Sequence, residues 1–203
     1  MDWDSIQGQH EPVAYLRNSI RKEKVVHGYL FQGPEGVGKE LTARVFARTL
    51  NCRESLDTPC GGCPSCLQIE KGASPDVHFV YPVMKSGLIS IDQIRELQRK
   101  SFLKSSLRAW KVLVICEAEM MNDAAQNSLL KTLEEPPPRT VFILVTASPG
   151  RLLPTIRSRC QNVRFQTWSQ ELMLPFLKEN AGLERARAMV IHSLSRGRPG
   201  RAL

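Results

Sequence analysis

The segment at residues 33–39 has residue types and a spacing that suit it to holding phosphate groups. It reads Gly-Pro-Glu-Gly-Val-Gly-Lys and matches the pattern G-x-x-x-x-G-K. In that pattern Gly33, Gly36 and Gly38 let backbone N–H groups converge on a phosphate at a helix N-terminus, and Lys39 reaches the β- and γ-phosphates. A strand pattern precedes the segment and a helix pattern follows it. The sequence therefore predicts a phosphate-binding loop for ATP or ADP.

Two positions that should handle magnesium depart from this chemistry. Glu40 stands where a Ser or Thr hydroxyl usually ligates Mg²⁺, and its charge would lie beside negative phosphates. After the apolar run Lys111–Ile115, Cys116 replaces the usual Asp, whereas Glu117 keeps the carboxylate that polarises water. A neutral thiol is a poor ligand for Mg²⁺, which prefers hard oxygen donors. We therefore expect weakened nucleotide binding, or a site that binds nucleotide without hydrolysing it.

Four of the six cysteines fall in one short stretch, at Cys52, Cys60, Cys63 and Cys66. Four thiolates suit tetrahedral Zn²⁺ and leave no open position for catalysis. In a chain without a secretory signal, such a cluster indicates a metal site before it indicates disulfides. We therefore predict a structural zinc site, with an iron–sulfur cluster or disulfide bonds as the alternatives.

Hydrophobic periodicity predicts the elements that must position these residues. Continuous apolar runs are typical of strands covered on both faces of a sheet, and their alternation with helices favours a parallel α/β fold. Ser90 and Ser169 are candidate helix N-caps. The predicted strands are residues 29–32, 77–81, 111–115 and 140–145, and the predicted helices are residues 11–21, 38–50, 123–133, 183–194 and those that follow the two serines.

The strand signal stops near Gln166, where we place a domain boundary. Residues 1–166 are predicted to form a P-loop-type domain that carries the cysteine module at residues 52–66. Residues 167–203 are predicted to begin a small helical domain, the lid. Because the sequence stops before this domain is finished, we expect a truncated lid and an absent C-terminal domain.

Charge and composition narrow the class of protein. The 203 residues carry a formal net charge of +8, and residues 151–203 hold ten basic residues against three acidic ones, a net +7. This stretch is either a solvated basic face or a surface that meets phosphate. No apolar run is long enough to span a bilayer, and the acidic start lacks the features of a signal peptide. We therefore expect a cytoplasmic protein that does not enter a membrane.

Four sequence blocks together resemble the clamp-loader branch of the AAA+ family. That branch contains the gamma/tau and delta-prime subunits of bacterial DNA polymerase III and eukaryotic replication factor C. The blocks are the Ile-Gln-Gly-Gln segment at residues 6–9, the P-loop, the LLKTLEEPP segment at residues 129–137 and the Ser-Arg-Cys segment at residues 158–160. They occur in the family's order and cover nearly the whole chain.

Within this branch the chain resembles delta-prime more than gamma/tau. Gamma/tau subunits keep a hydroxyl at the position of Glu40. They also keep an Asp-Glu pair where this chain has Cys116 and Glu117. Gly200 also stands where the family's ATPases carry an Arg that senses nucleotide, and we expect Arg201, one residue later, to point elsewhere because successive residues on a helix are about 100° apart. The resemblance implies that Thr146 is a phosphate-sensing residue, with Gly33, Gly36, Gly38, Lys39 and Glu117 as the rest of a degenerate nucleotide site.

The resemblance implies that the chain acts in DNA replication and that Arg159 takes part in that function. In the family, the Arg of the Ser-Arg-Cys segment projects toward the ATP of the adjacent subunit as an arginine finger. The expected partners are gamma/tau and delta subunits in a heteropentamer, with the sliding clamp and primer–template DNA reached through the assembled complex. In relatives, a C-terminal collar domain holds the ring of subunits together. We expect that domain to be absent from this sequence and to be needed for assembly. The alternatives are a working gamma/tau-like ATPase and a separate nucleic-acid-binding module.

Overall fold

A computed structural model describes residues 1–103, 105 and 109–202; Leu203, the last residue of the predicted lid, lies outside the described residues. Five strands form one parallel sheet in the order β2-β3-β4-β1-β5. The strands are β1 (Gly28–Gln32), β2 (Val77–Val80), β3 (Lys111–Ile115), β4 (Thr140–Thr146) and β5 (Gln161–Arg164).

Helices flank this sheet and follow it. Two short 3₁₀ turns, Ala118–Met120 and Pro149–Arg151, lie after β3 and β4. The predicted parallel α/β architecture is therefore confirmed. The helices are α1 (His10–Arg21), α2 (Lys39–Asn51), α3 (Pro64–Glu70), α4 (Ile91–Phe102), α5 (Asp123–Glu134), α6 (Pro154–Arg159), α7 (Gln170–Ala181), α8 (Arg185–Ser195) and α9 (Pro199–Ala202).

The side chains of the central strands alternate between two cores, one on each face of the sheet. Phe31 and Ile143 pack on the face covered by α1 and α2. Leu30 and Phe142, their neighbours in sequence, pack on the face covered by α4 and α5. Since both faces are covered, the central strands are apolar throughout, which is why their sequence pattern is continuous.

The edge strand β5 is absent from the sequence prediction. Of its four residues only Val163 is buried, and the other three are exposed and polar or charged. An edge strand needs no apolar run, because only one side of it bonds to the sheet. It pairs with β1 in the register Tyr29↔Gln161 to Gln32↔Arg164.

A cap explains where α4 begins. Ser90 forms a reciprocal capping box with Gln93: the Gln93 N–H donates to Ser90 Oγ at 3.3 Å and the Ser90 N–H donates to Gln93 Oε1 at 3.0 Å. Ser169 occupies the N-cap position of α7, but its side chain makes no capping hydrogen bond within the described residues.

A third apolar cluster, centred on Trp168, Met173 and Leu177, holds α7 and α8 together.

Candidate functional site

The P-loop lies between the carboxyl end of β1 and the N-terminus of α2. Gly33 has a φ of +151°, and a Cβ at this position would lie 2.3 Å from the Phe165 carbonyl oxygen, so only glycine fits. The Gly38 carbonyl accepts the Thr42 N–H at 2.9 Å, which starts the hydrogen-bond ladder of α2. The predicted strand–loop–helix context of the motif is therefore present.

The Lys39 ammonium lies inside the P-loop. The side chain is 6% exposed, and Nζ donates to the Gly33 carbonyl at 2.6 Å and to the Pro34 carbonyl. Burial lowers the pKa of Lys39 to about 8, because a charged ammonium loses hydration there. Two loop carbonyls thus hold the cation that the motif reserves for phosphate.

Glu40 is engaged by a network of side chains that the sequence did not reveal. Its Oε1 accepts hydrogen bonds from Arg44 Nη2 at 2.7 Å and from the Tyr81 hydroxyl at 2.7 Å. The Arg44 guanidinium also lies 4.1 Å from the centre of the Phe79 ring, a cation–π contact. Glu40 therefore serves a structural network beyond the end of β2.

Cys116 lies beside the same network, at the end of β3. It is 3% exposed, and burial raises the pKa of its thiol to about 12, with the Glu40 charge acting in the same direction. The thiol is therefore protonated at neutral pH. A protonated sulfur offers no hard anionic ligand to Mg²⁺.

Glu117 and Thr146 lie at the same end of the sheet and line a cavity of about 600 Å³ with Lys39. Glu117 is exposed, with a left-handed φ of +52°. Thr146 is buried, and its Oγ1 accepts the Ser148 N–H at 3.0 Å. The structure thus brings together the predicted residues of the nucleotide site.

Glu119 also lines this cavity, although sequence reasoning assigned it no role. It is 7% exposed. Its Oε1 accepts the Ala147 N–H at 2.9 Å, and its Oε2 has no hydrogen-bond partner among the described residues. Its carboxylate lies close enough to Lys39 to favour the charged form of that ammonium.

The last described helix, α9, packs against the P-loop. The Gly200 N–H donates to the Gly36 carbonyl at 2.9 Å, and a Cβ on Gly200 would lie 3.0 Å from Gly36 Cα. Arg201 forms an ion pair with Glu35 and so points to the rim of the loop. Position 200 therefore packs backbone against backbone, which leaves no room for the long side chain of a nucleotide sensor.

The Gln of the Ile-Gln-Gly-Gln block explains how the N-terminal segment contributes. Gln9 is 2% exposed. Its amide nitrogen donates to the carbonyls of Val37 at 3.2 Å and Gln166 at 2.7 Å, and its Oε1 accepts the Gln166 N–H at 3.1 Å. This single side chain ties the P-loop to the segment where the lid begins.

The four clustered cysteines form a candidate metal centre away from the P-loop. Their Sγ atoms all lie within 4.8 Å of one another. Tetrahedral Zn²⁺ with bonds of about 2.3 Å needs sulfurs about 3.8 Å apart, so small shifts would complete the site. The six cysteines, all in described segments, are free thiols, which disfavours the disulfide alternative. The residues present therefore fit a metal ion.

Backbone hydrogen bonds to sulfur shape this centre. The Cys60 N–H donates to Cys52 Sγ at 3.4 Å and the Cys63 N–H donates to Cys60 Sγ at 3.3 Å. Such outer bonds orient thiolate ligands around a metal. The cysteine segment also contains a short helix, α3, which begins directly after Cys63 and carries Cys66; the sequence analysis predicted no helix in this segment.

Asp57 fastens the cysteine loop to α1. Its carboxylate accepts hydrogen bonds from Arg17 Nη2 at 2.8 Å and from Arg21 Nη2 at 2.6 Å. Its backbone carbonyl accepts the Trp3 Nε1–H at 2.9 Å. The bonds from Arg17 and Arg21 lower the pKa of Asp57 to about 2.

Arg159 lies at the opposite end of the sheet from the P-loop. It ends α6, and a Cβ on Gly28, the first residue of β1, would lie 3.2 Å from the Arg159 carbonyl oxygen. Because β1 rises about 3.3 Å per residue, roughly 13 Å separate this end from Gln32, where the P-loop begins. The Arg159 guanidinium bonds Glu134 Oε1 at 2.6 Å and the Thr155 carbonyl at 2.9 Å.

Most of the chain matches one protein family. The family described as "DNA polymerase III, delta subunit" matches residues 8–169. The chain belongs to this family. The match contains the P-loop, the cysteine centre and the Ser-Arg-Cys segment.

Curated relatives carry two kinds of subunit name. The DNA polymerase III subunit delta' of Bacillus subtilis (strain 168) is 45% identical over 153 residues, which are 74% of this chain and 45% of that protein. The DNA polymerase III subunit tau of the same organism is 38% identical over 165 residues, which are 81% of this chain and 29% of that protein. The chain thus spans less than half the length of these two relatives.

Solved structures support the fold alone. The Holliday junction branch migration motor RuvB of Thermotoga maritima matches with a TM-score of 0.60 at 21% identity, over 96% of this chain and 59% of that one. The Orc1 protein of Aeropyrum pernix, solved with DNA, matches with a TM-score of 0.65 at 13% identity, over 96% of this chain and 57% of that one.

In the described segments, no helix combines the length and apolar character that crossing a bilayer requires.

Proposed function

We propose that this chain is a delta-prime-type subunit of the DNA polymerase III clamp loader, which acts in DNA replication without hydrolysing ATP itself. It donates Arg159 to the ATP site of an adjacent gamma/tau subunit. Its partners are gamma/tau and delta subunits in a heteropentamer, and it reaches the sliding clamp and primer–template DNA through that complex. Family membership supports this placement, and the 45% identical delta' relative supports the subunit type.

The position of Arg159 carries the proposal. The guanidinium lies at the end of the sheet opposite its own P-loop, too far away to serve its own nucleotide site. It is a third exposed, so a neighbouring subunit can approach it. A phosphate of the neighbour's ATP, with more negative charge than a carboxylate, would displace Glu134 as its partner. A guanidinium there stabilises charge on the transferring phosphoryl group.

The contacts around the chain's own P-loop support the absence of hydrolysis. Glu40 is engaged with Arg44 and Tyr81, and the thiol of Cys116 is neutral. The thiol offers no hard oxygen ligand to Mg²⁺, and Oε1 of Glu40 is already occupied by its two partners. Gly33, Gly36, Gly38, Lys39, Glu117 and Thr146 then form the remnant of a nucleotide site, which binds ATP or ADP weakly at most.

The cysteine centre holds Zn²⁺ in this proposal, through Cys52, Cys60, Cys63 and Cys66. The ion would supply structural cross-linking of a loop that has little apolar core of its own. Four sulfur donors, with no further side-chain ligand in the group among the described residues, favour a closed structural site over a catalytic one.

The domain organisation is part of the proposal. Residues 1–166 form the P-loop domain with its zinc module, and residues 167–203 belong to the helical lid. The separate apolar cluster around Trp168 and Met173 supports this division.

The experiment that tests the proposal replaces Arg159 in the complete subunit. The Arg159→Ala variant is assembled with gamma/tau and delta, and clamp- and DNA-dependent phosphate release is measured. Turnover at the adjoining ATP site should fall by about 10³-fold or more, while assembly, followed by gel filtration, stays normal. Arg157→Ala, on the same helix and exposed, is the matched control. Wild-type turnover at that site with the Arg159 variant would contradict the proposed role.

A second candidate is a gamma/tau-like ATPase. The 38% identical tau subunit, aligned over 81% of this chain, and the intact glycines and lysine of the P-loop favour it. The two candidates differ in the activity of the purified chain, because only an ATPase releases phosphate without partner subunits.

A further inference from the structure

Arg48 is a buried cation whose ion pair with Glu70, a partly exposed carboxylate, is long. It lies in α2, 2% exposed, and is among the largest fully buried side chains of the described residues. Its Nε and Nη1 have no hydrogen-bond partner within those residues. Its Nη1 lies 3.7 Å from Glu70 Oε1, which is too long for a hydrogen bond. A buried charge is costly unless it is well paired, and a single long contact to a carboxylate that is 43% exposed compensates Arg48 only in part.

The cysteine centre lies next to this guanidinium. Arg48 precedes Cys52, the C-cap residue directly after α2, by four positions. Its Nη2 lies 3.7 Å from the Cβ position of Gly61, which stands between Cys60 and Cys63. Glu70, the distant carboxylate, belongs to α3, the helix that carries Cys66. The guanidinium therefore lies next to two parts of the metal centre, the turn between Cys60 and Cys63 and the helix that carries Cys66.

The charge of a loaded centre complements Arg48. Four thiolates around one divalent ion leave a net charge of −2. A guanidinium keeps its positive charge at any pH a protein tolerates, so burial cannot neutralise it. We propose that Arg48 is a positioning residue of the metal centre: its buried charge offsets the negative metal–thiolate group and strengthens metal binding. This inference rests on the proposed zinc site.

The experiment compares zinc affinity and thermal stability in the Arg48→Met variant, which keeps an unbranched side chain of similar length and loses the charge. Zinc affinity is measured by competition with a chromophoric chelator. It should fall by about 10- to 100-fold, the usual effect of removing an outer-shell partner. The metal-free variant should melt at a higher temperature than the metal-free wild type, because a poorly paired buried charge is gone. The zinc-loaded variant should melt at a lower temperature than the loaded wild type.

Two further variants serve as controls. Arg48→Lys keeps a positive charge and should retain most of the affinity. Arg53→Met removes an exposed charge directly beside Cys52 and should leave the affinity unchanged. A role confined to packing would lower both melting temperatures and leave zinc affinity intact, which would overturn the inference while the zinc site stands. If the wild type itself retains no zinc, the proposed zinc site and this inference fail together.

Discussion

The contact between Asp57 and α1 gives a prediction that can be worked from the structure. Asp57 lies in the cysteine loop, and its carboxylate bonds Arg17 and Arg21 at 2.8 and 2.6 Å. Asp57→Asn keeps the shape of the side chain and removes the charge. We expect the cysteine loop to be held less tightly against α1, and the free energy of unfolding to fall.

The size of this effect follows from the pKa of Asp57. Hydrogen bonds from the two arginines lower the pKa from 3.8 to about 2, and at 1.36 kcal/mol per unit this bounds the effect at about 2.5 kcal/mol. The side chains of Arg17, Arg21 and Asp57 are 29, 52 and 33% exposed, so water screens the pairs. We therefore expect about 1 kcal/mol, which lowers the melting temperature by about 2–4 °C.

The effect must depend on pH in one direction. Because folding lowers the pKa of Asp57, its stabilisation is complete above the unfolded value of 3.8 and is lost as the pH falls through about 2. Melting curves of wild type and variant should thus differ at pH 7 and converge as the pH falls from 3.8 to about 2. Asp4→Asn, an exposed acid, is the matched control. Equal melting temperatures of the Asp57 variant and the wild type at pH 7 and low salt would refute the reasoning.

Two other predictions concern the metal centre and the lid. Cys63→Ser should abolish stoichiometric zinc, measured by atomic absorption, because three sulfurs no longer complete a tetrahedron; full retention of zinc would contradict the proposed ligand set. Gly200→Ala should loosen the lid, because the added Cβ would lie 3.0 Å from Gly36 Cα. Amide exchange at residues 33–39 should then rise, whereas Gly150→Ala, with open space around it, should leave exchange unchanged; equal exchange in both variants would count against the contact.

The sheet shows what local pattern can and cannot predict. β3 and β4 are buried on both faces, so their apolar runs mark them in the sequence. β5 was missed because an edge strand with one buried residue carries no such mark. The short helix α3 was missed because one and a half turns among cysteines are too few for helical periodicity to appear.

The candidate sites divide in the same way. The P-loop and the four cysteines are contiguous motifs, so their spacing alone predicted them. Tyr81 and Asp57 act through partners 41 and 40 residues away, on Glu40 and Arg17. Such pairs depend on how strands and helices are placed, which a single sequence does not specify. The carboxyl ends of parallel neighbours do meet, however, so Tyr81, just beyond β2, was a candidate neighbour of Cys116 at the end of β3.

Phosphate release by the purified subunit tests the central claim most directly. ATP is supplied with and without Mg²⁺, and release is followed in the absence of any partner subunit. The side chains at Glu40 and Cys116 predict release at the background rate in both conditions, while the assembled complex turns over. Magnesium-dependent turnover by the subunit alone, at a rate comparable to that of the complex, would show that this P-loop is a working ATPase site.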